Sequence, residues 1–219
     1  MTSQPRGRFI VLEGIDGSGK TTQLDQLGAW LPTSGLMPPG AELIAAWAPG
    51  GTALGLDLRE LLLHPPASAE PCPAAELLLY VADIAQLVGE VIEPALAAGH
   101  WVLCDRFTGS TVAYQGYGRG HDLTVIQQLN QLATGGLEPD LTIWLDLPLA
   151  AALRRRGHRS ADRIEAAGGE FLGLVAFGYD SLYRAVANWR YVSADAPLAL
   201  VTTDCQLRLR ARFPADATP

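Results

Sequence analysis

Short apolar runs alternate along this chain with longer stretches in which apolar residues recur every three or four positions. The runs lie at 9–12, 43–46, 101–104, 141–145 and 191–193, with another at 198–202. Runs this short, bounded by Gly, Pro or Asp, predict buried strands. Segments 21–31, 54–63, 74–98, 123–133, 148–156 and 170–188 predict helices; in the second, Leu54, Leu58, Leu61 and Leu62 share one face. Such alternation predicts an α/β fold: a parallel sheet with helices on both faces, three layers in all. Ligands of such sheets bind beyond the carboxyl ends of the strands. The Pro/Gly-rich stretches 32–40 and 65–73 read as connecting loops and no internal repeat is visible, so residues 1–219 are expected to form a single domain.

The residues to read are therefore those at strand ends. After the first run comes Gly14-Ile15-Asp16-Gly17-Ser18-Gly19-Lys20-Thr21-Thr22, and Lys20 is the only lysine in the chain. A sequence that otherwise uses arginine for every cation has lysine where a compact ammonium must fit against phosphate inside a tight backbone loop. The pattern G-x-x-x-x-G-K-[ST] between strand and helix is a P-loop. Its glycines let amide hydrogens close around phosphate oxygens, and the helix N-terminus adds a positive dipole end. The fold expected is thus that of a P-loop NTPase, with Gly14, Asp16, Gly17, Ser18, Gly19, Lys20, Thr21 and Thr22 around bound ATP.

Two further groups follow later strands. Asp105-Arg106 closes the run at 101–104; the carboxylate can hold Mg²⁺ together with the Thr21 hydroxyl, and the guanidinium can fork onto a phosphate. Beyond the run at 141–145, the segment 154–163 carries five arginines. In a P-loop kinase these suit a lid, at about 154–168, that closes over transferring phosphates. The net charge of −7 argues against nucleic acid or an anionic membrane as partner. Cys72, Cys104 and Cys205 show no metal-ligand or disulfide spacing, and the histidines none either. The first eight residues are polar, without the pattern of a secretory signal, and no apolar run reaches spanning length. A cytoplasmic setting is the expectation.

Taken together, the segments 9–22, Pro49-Gly50-Gly51-Thr52, Asp105-Arg106-Phe107, Ala113-Tyr114-Gln115-Gly116, Gly118-Arg119-Gly120, Pro139-Asp140-Leu141-Thr142 and Asp162-Arg163-Ile164-Glu165 resemble bacterial thymidylate kinase over nearly the whole chain. The resemblance implies transfer of the ATP γ-phosphate to dTMP, with Mg²⁺, in a homodimer. It implies that Asp16 receives the sugar 3′-hydroxyl, that Arg59 and Arg106 hold the dTMP phosphate, and that Tyr80 stacks on thymine. Thr111 and Gln115 would bond the base and Tyr114 would pack on the deoxyribose. Gly17 stands where some relatives place an arginine, so the transition-state arginine is expected from the lid, among Arg154, Arg159 and Arg163.

The chain also departs from that pattern. Ala46-Trp47-Ala48 replaces Thr-Arg-Glu, Ile84 stands where an arginine would reach the thymine carbonyl, and Leu174 and Ala176 are apolar near positions that usually carry arginine. A hydrogen bond from a charged donor contributes about 1.5–3 kcal/mol, roughly tenfold to over a hundredfold in affinity or rate. The expectation is dTMP kinase chemistry with a weakened acceptor site. The alternatives are a kinase shifted to another monophosphate, or a nucleotide-binding protein with little turnover.

Overall fold

In a computed structural model, residues 6–66, 68, 70–156 and 163–214 are described. Strands β1 (Phe9–Glu13), β2 (Leu43–Trp47), β3 (Trp101–Asp105), β4 (Leu141–Asp146) and β5 (Trp189–Ser193) form one sheet in the order β2-β3-β1-β4-β5. All four pairings are parallel. The central strand is buried along its whole length, which explains why it reads as an unbroken apolar run. Alternate side chains of β1 feed two cores: Ile10 and Leu12 join one, Phe9 and Val11 the other. Helices therefore cover both faces, as the alternation predicted.

The helices are α1 (Lys20–Trp30), α2 (Ala53–Leu63), α3 (Pro73–Leu87), α4 (Glu93–Ala97), α5 (Thr108–Ser110), α6 (Leu123–Thr134), α7 (Leu149–Arg156), α8 (Gly169–Ala185) and α9 (Leu198–Arg212). A π-helical turn at Val88–Ile92 joins α3 to α4, so the stretch expected as one helix is continuous but locally widened. Helix α2 starts at the Pro-Gly-Gly-Thr segment because the Thr52 side chain accepts the Gly55 N–H at 2.9 Å, satisfying an otherwise orphaned first-turn donor.

Two features differ from the sequence reading. The run at 198–202 is not a strand but the first turn of α9, in which Val201, Cys205 and Leu209 recur at helical spacing and are buried. Only the β-branched opening of that helix looked strand-like. The second is the segment after Asp105-Arg106, where α5 passes directly into a π-helix, Thr111–Gly118. Its wider turns place Thr111, Tyr114 and Gln115 inward together, as buried residues. Among the described residues no helix is long and apolar enough to cross a membrane.

Candidate active site

Three chain crossings at the carboxyl edge of the sheet build the site. The first is the loop between β1 and α1. Gly14 adopts φ 147°, and a Cβ there would lie 2.5 Å from the Leu145 carbonyl oxygen, so only glycine lets the loop turn against β4. The Lys20 side chain, 6 % exposed, folds back under the loop and donates to the Gly14 and Ile15 carbonyls at 3.0 Å each. Burial and the neighbouring Arg106 lower its pKa to about 8, although Asp16, Asp105 and Glu13 work the other way. The ammonium is held ready and poorly solvated, the state in which a phosphate gains most from meeting it.

The second crossing is the turn after β3. Arg106 takes φ 69°, uncommon for a residue with a side chain and of order 1–3 kcal/mol unfavourable unless its surroundings hold it. They do. Its backbone N–H donates to Leu12 O, and its guanidinium to Gly14 O, Ser110 Oγ and Tyr179 Oη at 3.0–3.1 Å and to Asp16 Oδ1 at 2.5 Å. The guanidinium also lies over the Tyr114 ring, 5.1 Å from its centre. Tyr114 Oη donates to the other Asp16 oxygen at 2.9 Å. Burial would raise the Asp16 carboxyl, but Arg106, Lys20 and these hydrogen bonds outweigh it and hold the carboxyl well below the usual range.

Beneath the turn lies Glu13, with no exposed surface. It accepts from the Phe107 and Ser110 N–H groups at 3.0 Å each, from Ser110 Oγ at 2.6 Å and from Tyr179 Oη at 3.1 Å. Burial raises its pKa against the pull of Ser110 and Arg106. Glu13, Ser110 and Tyr179 thus form the frame that shapes the Arg106 turn. Sequence reading missed them, since a glutamate closing a strand and a tyrosine 166 positions away carry no local signal.

The third crossing brings α2, α3 and the π-helix around an open cleft lined by Asp16, Arg59, Tyr80, Arg106, Thr111, Tyr114 and Gln115, together with Ile84. Every acceptor-site residue singled out from the sequence lines this one cleft. Arg59 is steadied by a bond to the Pro49 carbonyl at 2.9 Å. Gln115 Nε2 donates to Glu76 Oε1 at 2.7 Å, which fixes Gln115 Oε1 as a buried acceptor without a partner among the described residues. Asp83, next to Ile84, also lines the cleft; it takes the Gly50 N–H at 2.9 Å, and burial lifts its pKa to about 6 despite that bond and Arg59.

Thr21 Oγ1 donates to Asp105 Oδ2 at 3.0 Å, while the buried Asp105 Oδ1 has no partner among the described residues. A hydroxyl and a carboxylate with an unsatisfied oxygen, side by side at the phosphate loop, fit Mg²⁺, which takes one or two protein oxygens and completes its shell with water and phosphate. Arg159 and Asp162 lie outside the described residues. Arg154 is exposed, and it is its neighbour Arg155 that reaches the loop, donating to Gly17 O at 3.2 Å and to Ala194 O at 2.7 Å. Arg163 donates to Leu62 O at 2.9 Å and sits 2.7 Å from the buried Glu76 carboxylate.

A profile of the thymidylate kinase family matches residues 12–205. A thymidylate kinase of Synechococcus sp. (strain CC9311) is 57 % identical over 95 % of this chain and 98 % of its own. One from Prochlorococcus marinus (strain MIT 9313) is 58 % identical over 94 % and 95 %, and one from Synechococcus sp. (strain WH7803) 63 % over 84 % and 86 %. With the phosphate loop, the Arg106 turn and the acceptor cleft meeting at one edge of the sheet, and with relatives of this likeness along nearly the full length, the chain belongs to the thymidylate kinase family.

Proposed function

We propose that this protein is an ATP-dependent nucleoside monophosphate kinase that phosphorylates dTMP to dTDP, a step toward dTTP. The observation that carries the reading is the Arg106–Asp16 pair, where the cation of the acceptor cleft is bonded to the carboxylate of the phosphate loop. Donor and acceptor sites are thereby held face to face, the requirement for direct in-line transfer.

In this mechanism the backbone amides of residues 14–21 and the Lys20 ammonium hold the β- and γ-phosphates of ATP. Arg106 and Arg59 present the acceptor phosphate. Its attacking oxygen is already anionic, so no strong general base is needed and no covalent intermediate forms. Tyr80 packs on the base, Tyr114 on the sugar, and Asp16 accepts from the sugar hydroxyl. The fixed acceptor, Gln115 Oε1, suits the ring N–H of thymine, with Thr111 beside it. Lid arginines neutralise charge that develops on the transferring group. Arg155 is the described residue best placed to begin this, with Arg154 and Arg159 closing on substrate and Arg163 anchoring the lid. Thr21 and Asp105 would hold Mg²⁺, which supplies charge neutralisation at the phosphates.

The enzyme is read as a cytoplasmic homodimer. Leu54 and Leu61 on α2, Leu78 on α3, and Val125 and Leu132 on α6 are exposed, Leu132 by 79 %, which supports a covered face in the assembly. Sedimentation equilibrium giving twice the chain mass supports the dimer, and a monomer at micromolar concentration overturns it. A coupled ADP-release assay with dTMP, dUMP, dCMP and dGMP tests the activity. Turnover confined to dTMP supports the proposal; turnover of another acceptor only, or of none, overturns it.

A further inference from the structure

On the sheet face that carries Val11, a second cavity of about 360 Å³ opens between α6 and α8. Val11, Glu13 and Thr142 line it from β1 and β4, and Phe107 is the one residue it shares with the acceptor cleft. Two of the residues that line it are amides with buried, unused acceptors. Asn130 is 9 % exposed, and its Oδ1 has no partner among the described residues. Asn188 donates through Nδ2 to the Pro139 carbonyl at 2.6 Å, which fixes its Oδ1 as an acceptor, also without a partner there. A buried carbonyl oxygen left unpaired costs on the order of 1–3 kcal/mol, so two in one cavity are a strong demand for N–H or O–H donors.

The rest of the lining narrows the ligand. No described residue around the cavity is basic, and Glu13 and Glu138 are acidic, so phosphates and other anions are disfavoured. Val11, Phe107, Leu137, Leu182 and Trp189 supply apolar and aromatic walls. Gln127 and Gln131 stand at its α6 side with both donor and acceptor capacity. An uncharged, planar heterocycle with ring or exocyclic N–H groups meets each of these conditions: apolar faces, donors to the asparagines, no charge to compensate.

We propose that this cavity is a second ligand site, separate from the catalytic cleft, that takes an uncharged nucleobase or nucleoside. Among its lining residues is the fully buried Glu13, whose carboxylate fixes Phe107 and Ser110, and Ser110 Oγ in turn accepts from Arg106. A bound ligand therefore sits behind the frame of the acceptor cation and alters turnover without competing with dTMP.

The test is calorimetric titration of the whole protein with thymine, adenine, thymidine and adenosine, each in saturating dTMP and ADP so that the catalytic cleft is filled. The expected result is saturable binding of at least one probe. Asn130→Leu should weaken it roughly tenfold or more, as should Leu182→Trp, which fills the space without touching a polar group, while both keep kcat/KM for dTMP. Two variants of opposite chemistry guard against misfolding of either. No binding of any probe at millimolar concentration overturns the proposal. So does binding abolished by the added nucleotides, or binding that neither variant changes.

Discussion

Arg163 places its Nη2 2.7 Å from Oε2 of Glu76 in the first turn of α3. The same carboxylate, 2 % exposed, accepts from Gln115 Nε2 at 2.7 Å and from Arg119 Nε at 3.0 Å. One buried group thus joins Arg163, the Gly-Arg-Gly segment and the Gln115 amide. Burial would raise the Glu76 pKa, but the bonds from Gln115, Arg119 and Arg163 bring it below its ordinary value.

Removing that charge is expected to damage both stability and acceptor binding. Glu76→Gln leaves two guanidinium groups without their carboxylate, and breaking a buried ion pair costs about 3–5 kcal/mol. Arg163→Met leaves the Arg119 pair intact, so its loss should be smaller, about 1–2 kcal/mol. KM for dTMP should rise on the order of tenfold in Glu76→Gln, because Gln115 is freed to rotate. Denaturant unfolding and steady-state kinetics check both. Because the folded pKa is depressed, the wild-type advantage over Glu76→Gln is present above pH about 4.5 and fades as pH falls through the folded pKa.

Lys20 carries a different pH signature. Its pKa in the free protein is lowered to about 8 by burial and by Arg106. Above that pH the free enzyme loses the ammonium that meets the phosphates, so kcat/KM for ATP should fall about tenfold per pH step. Bound triphosphate raises the pKa again, so kcat should stay level to higher pH. Lys20→Ala should lower kcat by on the order of a hundredfold to a thousandfold. Lys20→Arg should not rescue it, because a forked guanidinium does not fit the space between the Gly14 and Ile15 carbonyls. A kcat/KM profile that is flat from pH 7 to 9.5 would show that Lys20 is not the titrating group.

What the sequence disclosed and what it withheld divide along a physical line. The phosphate loop, Asp105-Arg106 and the strand order's central run were legible because each is a local pattern whose chemistry lies in neighbouring residues. The family resemblance singled out Arg59, Tyr80, Thr111, Tyr114 and Gln115 together, and they do share one lining. Glu13, Glu76 and Asp83 were passed over because each looks like an ordinary acidic residue in a strand or helix. Their meaning comes only from burial and from partners brought in by the fold, as when Glu76 meets Arg119 and Arg163. Arg155 was overlooked for the same reason: within an arginine run, only the position of α7 against Gly17 selects it.

Ile84 offers a direct test of acceptor recognition. It is 3 % exposed, lines the acceptor cleft, and packs in the same core as Val81 and Phe107. Ile84→Arg should bring a charged donor to the base and lower KM for dTMP by about tenfold. The same change removes core methyl groups and buries part of a guanidinium stem, so unfolding stability should fall by about 1–3 kcal/mol. Kinetics and thermal unfolding on one preparation read both effects. A lower stability with unchanged KM would mean that position 84 faces the core alone.

Asp83 gives the sharpest pH-dependent expectation. It is 1 % exposed, accepts the Gly50 N–H at 2.9 Å, and its Oδ2 has no partner among the described residues. Burial lifts its pKa from 3.8 to about 6. With the folded pKa above the unfolded one, the protonated carboxyl favours the folded state below pH about 3.8, and that contribution is lost as pH rises through about 6. At pH 7.5 the buried charge therefore weighs against folding by up to about 3 kcal/mol. Asp83→Asn keeps an oxygen for Gly50 and removes the charge. The variant should melt higher than the wild type at pH 7.5, by on the order of 3–8 °C. At pH 4.5, where only the folded-state group is mostly protonated, the offset should shrink to roughly a third, and it should close below pH about 3.8. Melting curves at both values decide it, and an equal offset at both would place the effect in packing and not in the carboxylate charge.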